Sequence, residues 1–117
     1  MPKTHTGGCH CGKVRFQVEL ELDSVMSCNC SICSRRGHLL TFVPKERFEL
    51  LSGEEALSDY QFGKHVIHHL FCSTCGIGAF GRGTGPNGQE MVAVNARCLD
   101  GVDLGALTIR EFDGKSL

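Results

Sequence analysis

This sequence has no tryptophan, only 1 tyrosine and 3 prolines, and no long apolar run. A membrane-spanning helix requires about 20 consecutive apolar residues. No stretch approaches that length, so we expect no membrane partner. The N-terminal stretch MPKTHTGG also lacks the apolar core of a secretion signal, which predicts a cytoplasmic location.

An excess of charge of either sign is lacking too, because 12 Lys and Arg residues and 13 Asp and Glu residues give a formal net charge of -1. Domains that bind nucleic acid usually carry a clear basic excess, so we expect no nucleic-acid partner. A chain of 117 residues can bury one modest core. We therefore expect a single domain over residues 1–117.

The chain has 15 glycines and 8 cysteines, and the cysteines are the informative residues. Cytoplasmic thiols stay reduced, so clustered cysteines there usually bind a metal or take part in catalysis. The cysteine content also lies below the roughly 8–10% of small disulfide-stabilised domains. We favour zinc binding, and a secreted, disulfide-linked chain is the alternative.

The stretch KVRFQVELEL alternates apolar and polar residues, as a half-buried antiparallel strand does. Its apolar face consists of Val14, Phe16, Val18, Leu20 and Leu22. Further strand-like runs are HLLTFV from His38, ALSDYQF from Ala56, HVIHHLF from His65, GAFGRG from Gly78, EMVAVNARCL from Glu90 and LTIREF from Leu107. Helical patterns are limited to one turn in SICSRRG and one or two turns over Pro44–Leu51. The sequence predicts a mainly β fold of short antiparallel strands.

Seven of the cysteines fall into three closely spaced groups. These are Cys9 and Cys11, then Cys28, Cys30 and Cys33, then Cys72 and Cys75. Residues i and i+2 of an extended chain face the same side, so a C-x-C pair can hold one ion between two sulfurs. A C-x-x-C pair reaches the same arrangement through a tight turn. Each spacing can therefore supply two metal ligands.

The two outer pairs together make four thiolates, the number that a closed structural zinc site requires. We call Cys9, Cys11, Cys72 and Cys75 the four-cysteine group. Zinc bound there would contribute folding free energy on the order of 10 kcal/mol.

The remaining three, Cys28, Cys30 and Cys33, are called the cysteine trio. Three thiolates leave a fourth zinc position free for water, a thiol substrate or a carbonyl oxygen. Two alternatives stay open. The trio could take a fourth ligand from His10 or His38 and be a second structural site. The seven could also divide differently, with Cys9, Cys11, Cys28 and Cys30 apart from Cys33, Cys72 and Cys75.

Four segments resemble a known family in the same order: GGCHCGKVRF at Gly7, SCNCSICSRRGH at Ser27, FCSTCGIGAF at Phe71 and VAVNARCLDG at Val92. The family is that of the glutathione-dependent formaldehyde-activating enzymes, also called the centromere protein V (CENP-V/GFA) domain. The resemblance implies an Mss4-like zinc-binding β fold, with a structural zinc on the four-cysteine group and a catalytic zinc on the trio. It also implies a carbon-sulfur lyase or synthase that joins formaldehyde to glutathione and forms S-(hydroxymethyl)glutathione.

An open zinc suits this chemistry, because coordination deprotonates a thiol whose free pKa is about 8.5 and so creates the nucleophile. We therefore hypothesise an enzyme that acts on a small thiol, with glutathione as one candidate. A non-enzymatic zinc-stabilised binding module and a thiol redox sensor remain as alternative hypotheses.

The other polar residues near the cysteines have weaker interpretations. A guanidinium of Arg35 or Arg36 could bind a substrate carboxylate. Exposed or hydrogen-bonded strand residues are the more ordinary interpretation of His65, His68 and His69. Cys98 fits a small buried residue on the face of Val92, Val94 and Ala96, and Asn95 and Arg97 would then face a cleft on the other side.

Overall fold

The computed structural model describes residues 3–63, 66–85 and 87–116 and is built mainly from short strands. The strands are β1 Lys3–Gly8, β2 Arg15–Leu20, β3 Ser24–Cys28, β4 Leu40–Pro44, β5 Phe48–Ser52, β6 Leu57–Tyr60, β7 His69–Cys72, β8 Phe80–Thr84, β9 Glu90–Asn95 and β10 Thr108–Phe112. One α-helical turn, α1, spans Cys33–Arg36. Single 3-10 turns cover Lys45–Arg47, Glu54–Ala56, Ala96–Cys98, Leu104–Ala106 and Gly114–Ser116. The predicted mainly β fold is confirmed.

The strands form three sheets, in the orders β1-β2-β5, β10-β3-β4-β9-β8 and β6-β7. All the neighbouring strands in these sheets are antiparallel, except that β10 runs parallel to β3 and pairs Phe112 with Cys28. The expectation of antiparallel strands alone is therefore wrong at this edge. The parallel pair matters for function because it places the C-terminal part of the chain beside the trio.

Strand β2 confirms its predicted alternation, because its apolar side chains from Val14 to Leu20 are buried. Leu22 follows the end of the strand and is half-buried. The ring of Phe16 lies 5.1 Å from that of Phe48 and 6.0 Å from that of Phe80. These three rings join the β1-β2-β5 sheet to the five-stranded sheet, with Phe16 and Phe80 buried in the core and Phe48 packed against it.

Of the one or two helical turns predicted within Pro44–Leu51, only one forms, and the rest of the stretch is extended. Pro44 ends β4, one 3-10 turn follows at Lys45–Arg47, and the chain then extends as β5. Phe48 and Leu50 are half-buried and pack against the core. Tertiary pairing of β5 with β2 therefore outweighs the local helical preference of the glutamates in this stretch.

Two other strand predictions differ at their ends. The run from Glu90 leaves the sheet after Asn95, so Cys98 lies on a 3-10 turn rather than on the face of Val92 and Val94. The run from His65 pairs as a strand only from His69 onward, and His65 itself lies outside the described residues. Strands β1 and β3 were not predicted. In the described ranges, no helix is both long and apolar enough to span a membrane.

Candidate functional site

The four-cysteine group is assembled by two loops that are far apart in sequence. The loop between β1 and β2 carries Cys9 and Cys11, while the end of β7 and the turn after it carry Cys72 and Cys75. All four sulfurs lie within 4.8 Å of one another, and the Cys11 Sγ is 3.6 Å from those of Cys9 and Cys72. A tetrahedral ion with bonds of about 2.3 Å to sulfur places the sulfurs about 3.8 Å apart. The donor set therefore fits a metal such as zinc.

Backbone N–H groups support negative charge on these sulfurs. The Val14 N–H donates to the Cys9 Sγ at 3.3 Å. Hydrogen bonds from the backbone of Cys11 and Ile77 lower the pKa of the Cys75 thiol to about 6. Cys9 and Cys72 are buried in the core, so this group is closed off by packed side chains on one side.

The cysteine trio forms within six residues of chain. Cys28 ends β3, Cys30 lies on the following turn and Cys33 begins α1, and their sulfurs lie within 4.8 Å of one another. In the part of the chain that the structure describes, no His, Asp, Glu or further Cys joins either group. Neither His10 nor His38 therefore completes the trio, and the alternative division of the seven cysteines does not match the geometry.

Protonation differs among the trio sulfurs. Burial raises the pKa of the Cys33 thiol to about 12, and hydrogen bonding to Cys30 acts in the same direction. Burial acts on Cys30 too, but hydrogen bonds led by the backbone of Cys33 outweigh it, so the pKa of Cys30 is lowered. The trio is thus able to hold negative charge that a cation would stabilise.

The C-terminal segment, residues 112–116, packs against the trio, and its Phe112 and Gly114 line the same cavity as the trio. The Asn29 N–H donates to the Phe112 carbonyl oxygen at 3.1 Å, and the Asn29 side chain bonds Asp113 and the Lys115 N–H, each at 2.9 Å. Gly114 lies so close that a Cβ there would be 2.5 Å from the Cys28 Sγ. Only glycine leaves the sulfur in this position.

The trio faces a cavity of about 320 Å³. Its apolar lining comes from β3, the turn before α1, β4, the loop before β7, β8, β9 and β10. The residues are Met26, Ile32, Leu40, Phe42, Phe62, Ile67, Phe80, Ala93 and Phe112. Its other polar side chains are those of Arg36, His38, His69 and Asn95. A concave, mainly apolar site with a few convergent polar groups is the usual form of a small-molecule site.

Arg36 and Arg35 have different surroundings, although they are adjacent. The Arg36 side chain lines the cavity and lies over Gly78, where a Cβ would collide with its guanidinium. Burial lowers the pKa of Arg36, and the nearby charge of Cys33 partly offsets this effect. Arg35 is exposed and donates to the Ser31 carbonyl oxygen at 2.7 Å. Among the described residues, no carboxylate forms an ion pair with Arg36.

Two histidines line the cavity in their neutral form. Burial lowers the pKa of His38 to about 4, and the positive charge of Arg36 adds to this effect. Burial also lowers the pKa of His69, whose ring stacks on Phe62 at 5.3 Å. His68 points elsewhere and bonds Asp59 at 2.6 Å. His68 is thus hydrogen-bonded, as the sequence suggested for this stretch, whereas His69 is stacked and half-buried beside the cavity.

Asn95 lines the cavity and contacts Cys98. The Asn95 amide donates to the Gly78 carbonyl oxygen at 3.1 Å and to the Cys98 Sγ at 3.5 Å. Burial raises the pKa of Cys98 to about 11, which keeps it a neutral thiol. Arg97 is exposed and does not line the cavity, so the prediction that it faces the cleft is wrong, while that for Asn95 is confirmed.

Sequence reasoning missed the apolar rim of the cavity. Phe42, Phe62, Ile67 and Phe112 are between 43% and 52% exposed, and they come from four separate segments. The sequence marked these residues only as apolar side chains at positions where a polar side chain is expected. Phe42 is an example, because it is exposed although its neighbour Val43 in β4 is buried. Single exposed apolar residues are too common for this signal to identify a site.

Comparison with known proteins identifies relatives of this chain in sequence and in fold. The family model described as glutathione-dependent formaldehyde-activating enzyme matches residues 4–110, which include both cysteine groups. A crystal structure of a Rhodobacter sphaeroides protein is similar, with a TM-score of 0.77 and 34% sequence identity. That match covers 90% of this chain and 99% of the other. The C-terminal segment beside the trio lies beyond the residues that the family model matches.

Proposed function

The chain belongs to the glutathione-dependent formaldehyde-activating enzyme family, and on this premise we propose that it is a zinc-dependent carbon-sulfur lyase. The proposed reaction is reversible. A thiol adds to the carbonyl carbon of an aldehyde, its proton moves to the carbonyl oxygen, and a carbon-sulfur bond forms. The reverse reaction breaks that bond and returns thiol and aldehyde. No oxidant or reductant is consumed.

The observation that carries this proposal is that the two cysteine groups differ in ligand number and that the trio lines a cavity. The trio has three sulfurs and lines a cavity large enough for a small molecule. The four-cysteine group already has the full ligand number of a structural zinc and includes two buried cysteines. We therefore assign the structural zinc to the four-cysteine group and the catalytic zinc to Cys28, Cys30 and Cys33.

A zinc ion held by three thiolates would supply an open position and lower the pKa of a bound thiol. The side chains around it would do the rest. Arg36 would bind an anionic group of the substrate, and neutral His38 would offer a hydrogen-bond donor without adding positive charge. The apolar walls would exclude water and strengthen these polar contacts. Reduced trio thiols fit the cytoplasmic location expected from the sequence.

The test replaces zinc with cobalt(II), whose visible absorption reports its ligands, and titrates the protein with glutathione. We expect a saturable spectral change in the wild-type protein that Cys30→Ser abolishes. Exchange of formaldehyde with its glutathione adduct, followed by NMR, should accelerate only in the wild type. Cys98→Ser is the matched control, because it removes a thiol that lies outside both groups.

Two outcomes would overturn the proposal. A trio metal with four fixed protein ligands and no response to thiols would instead indicate a zinc-stabilised module without catalysis. Reversible metal loss on mild oxidation, without any thiol response, would favour the redox sensor.

A further inference from the structure

The cavity beside the trio is more apolar than a site for formaldehyde and a peptide-like thiol requires. Nine of its lining residues are aliphatic or aromatic, or the thioether of methionine. Formaldehyde has a single carbon and no apolar surface to bury. Placing peptide groups against such walls leaves their hydrogen bonds unmet, which is unfavourable.

The rim of the cavity points to an apolar ligand as well. Phe42, Phe62, Ile67 and Phe112 converge on it, and each leaves about half of its side chain exposed. A ring-sized apolar group in the cavity would cover these surfaces and remove them from water. The cavity volume of about 320 Å³ is within the usual range for small-molecule sites.

The charge of the lining is one-sided. Arg36 is the cation, and no Asp or Glu lines the cavity among the described residues. An ammonium group would therefore find no carboxylate, while one carboxylate on the ligand would find the Arg36 guanidinium. Glutathione, with two carboxylates and an ammonium, matches this charge pattern less well than a ligand with one negative charge.

We propose that the carbonyl substrate carries an aromatic or branched aliphatic substituent, and that the adduct carries one anionic group held by Arg36. This inference rests on the proposed function and replaces formaldehyde by a larger aldehyde. The bond changes stay balanced: the thiol sulfur bonds the carbonyl carbon, and the thiol proton ends on the carbonyl oxygen.

Binding to the zinc-loaded full chain is measured by calorimetry with three unreactive probes: 4-phenylbutyrate, butyrate and 4-phenylbutylamine. We expect 4-phenylbutyrate to bind saturably and at least about tenfold more tightly than either other probe, because each lacks one of the two matching features. Comparable binding of all three, or no binding of 4-phenylbutyrate, would overturn the proposal.

Variants locate the site of binding. Arg36→Gln and Phe42→Ala should each weaken 4-phenylbutyrate binding by about fivefold or more. Arg47→Gln is the charge-matched control, since Arg47 is exposed on a 3-10 turn and does not line the cavity. Phe42 is exposed, so its substitution should leave the fold intact, and the metal content verifies this. Equal weakening by Arg47→Gln would count against the assigned site.

Turnover separates this inference from the proposed function. With 3-mercaptopropionate, a thiol that carries one carboxylate, as the common thiol, NMR exchange compares phenylacetaldehyde with formaldehyde, and we expect the larger acceleration for phenylacetaldehyde. Saturable 4-phenylbutyrate binding without exchange of either aldehyde would disprove the lyase but keep the ligand class. Exchange of formaldehyde alone, without inhibition by 4-phenylbutyrate, would keep the lyase and disprove this inference.

Discussion

The two cysteine groups use the same ligand chemistry but are built in opposite ways. The four-cysteine group joins segments about sixty residues apart, since Cys11 and Cys72 are separated by 61 positions. The trio is contained between Cys28 and Cys33. The first group includes two buried sulfurs, whereas all three trio sulfurs are half-buried beside a cavity.

Under the proposed function, this difference would separate a metal that stabilises the fold from a metal that takes part in the reaction. An ion on the four-cysteine group closes a long loop of chain, so its binding free energy becomes folding free energy. An ion on the trio closes only a short loop and adds little to the fold. Its position at the cavity wall leaves room for a ligand from solution.

Cys11→Ser should have the largest effect, because it removes a ligand from the closed group. Structural zinc contributes on the order of 10 kcal/mol, as much as the entire stability of many domains. We expect a largely unfolded chain with low metal content, as measured by circular dichroism and elemental analysis. Cys11 is exposed, so the loss cannot come from a packing defect. A folded Cys11→Ser protein with two metals per chain would contradict the structural role given to the four-cysteine group.

Cys30→Ser should separate activity from folding. We expect one metal per chain, a cooperative thermal transition near that of the wild type, and loss of thiol-aldehyde exchange by about a hundredfold or more. Differential scanning calorimetry and the NMR exchange assay measure the two effects on one sample. Global unfolding of this variant would show that the trio also stabilises the fold.

Gly114→Ala tests whether the C-terminal segment positions the trio. The new Cβ would lie 2.5 Å from the Cys28 Sγ, so sulfur or backbone must move. We expect about a tenfold weaker affinity for the trio metal, measured by competition with a chelator, and an unchanged four-cysteine group. Gly83→Ala is the matched control, because its Cβ would meet Ile67 at an ordinary 3.5 Å. Equal metal affinity in both variants would contradict the role given to this segment.

His38→Gln should have the smallest effect, and it depends on pH. The pKa of His38 is lowered from 6.5 to about 4, so the unfolded chain takes up the proton first as the pH falls. As the pH falls from 6.5 to 4, the protein therefore loses stability through His38. Below pH 4 this residue causes no additional loss. The loss is about 1 kcal/mol because the ring is half-exposed and solvent screens its charge.

The measurement is urea unfolding of zinc-loaded protein at pH 7 and pH 5. Wild type should lose more stability than His38→Gln between these two values, whereas acid effects on the cysteines are common to both proteins. The same loss in both would show that His38 is not held neutral. Arg36, His69 and Arg97 are the charged and titratable groups that act on it.

The sequence was sufficient for features in which chemistry and local pattern agree. The alternation from Val14 to Leu20 identified β2, and cysteine spacing identified the groups that the fold brings together. Both signals are local, since they depend on residues two or three positions apart.

Features that depend on tertiary pairing were not predictable. β5 has helix-forming glutamates around Phe48 and Leu50, and only its pairing with β2 makes it a strand. The parallel pairing of β10 with β3 joins segments about eighty residues apart, and the rim of the cavity depends on it through Phe112. Nothing in the local sequence of either strand specifies its partner.

One further consequence follows from the aromatic side chains beside the cavity. Tyr60 lies 5.7 Å from the ring of Phe62 and 6.4 Å from that of His69, and both of those residues line the cavity. The chain has no tryptophan and no second tyrosine, so its tyrosine fluorescence originates at this one position. The molecule therefore carries a built-in optical reporter, and occupancy of the cavity can be followed without attaching a dye.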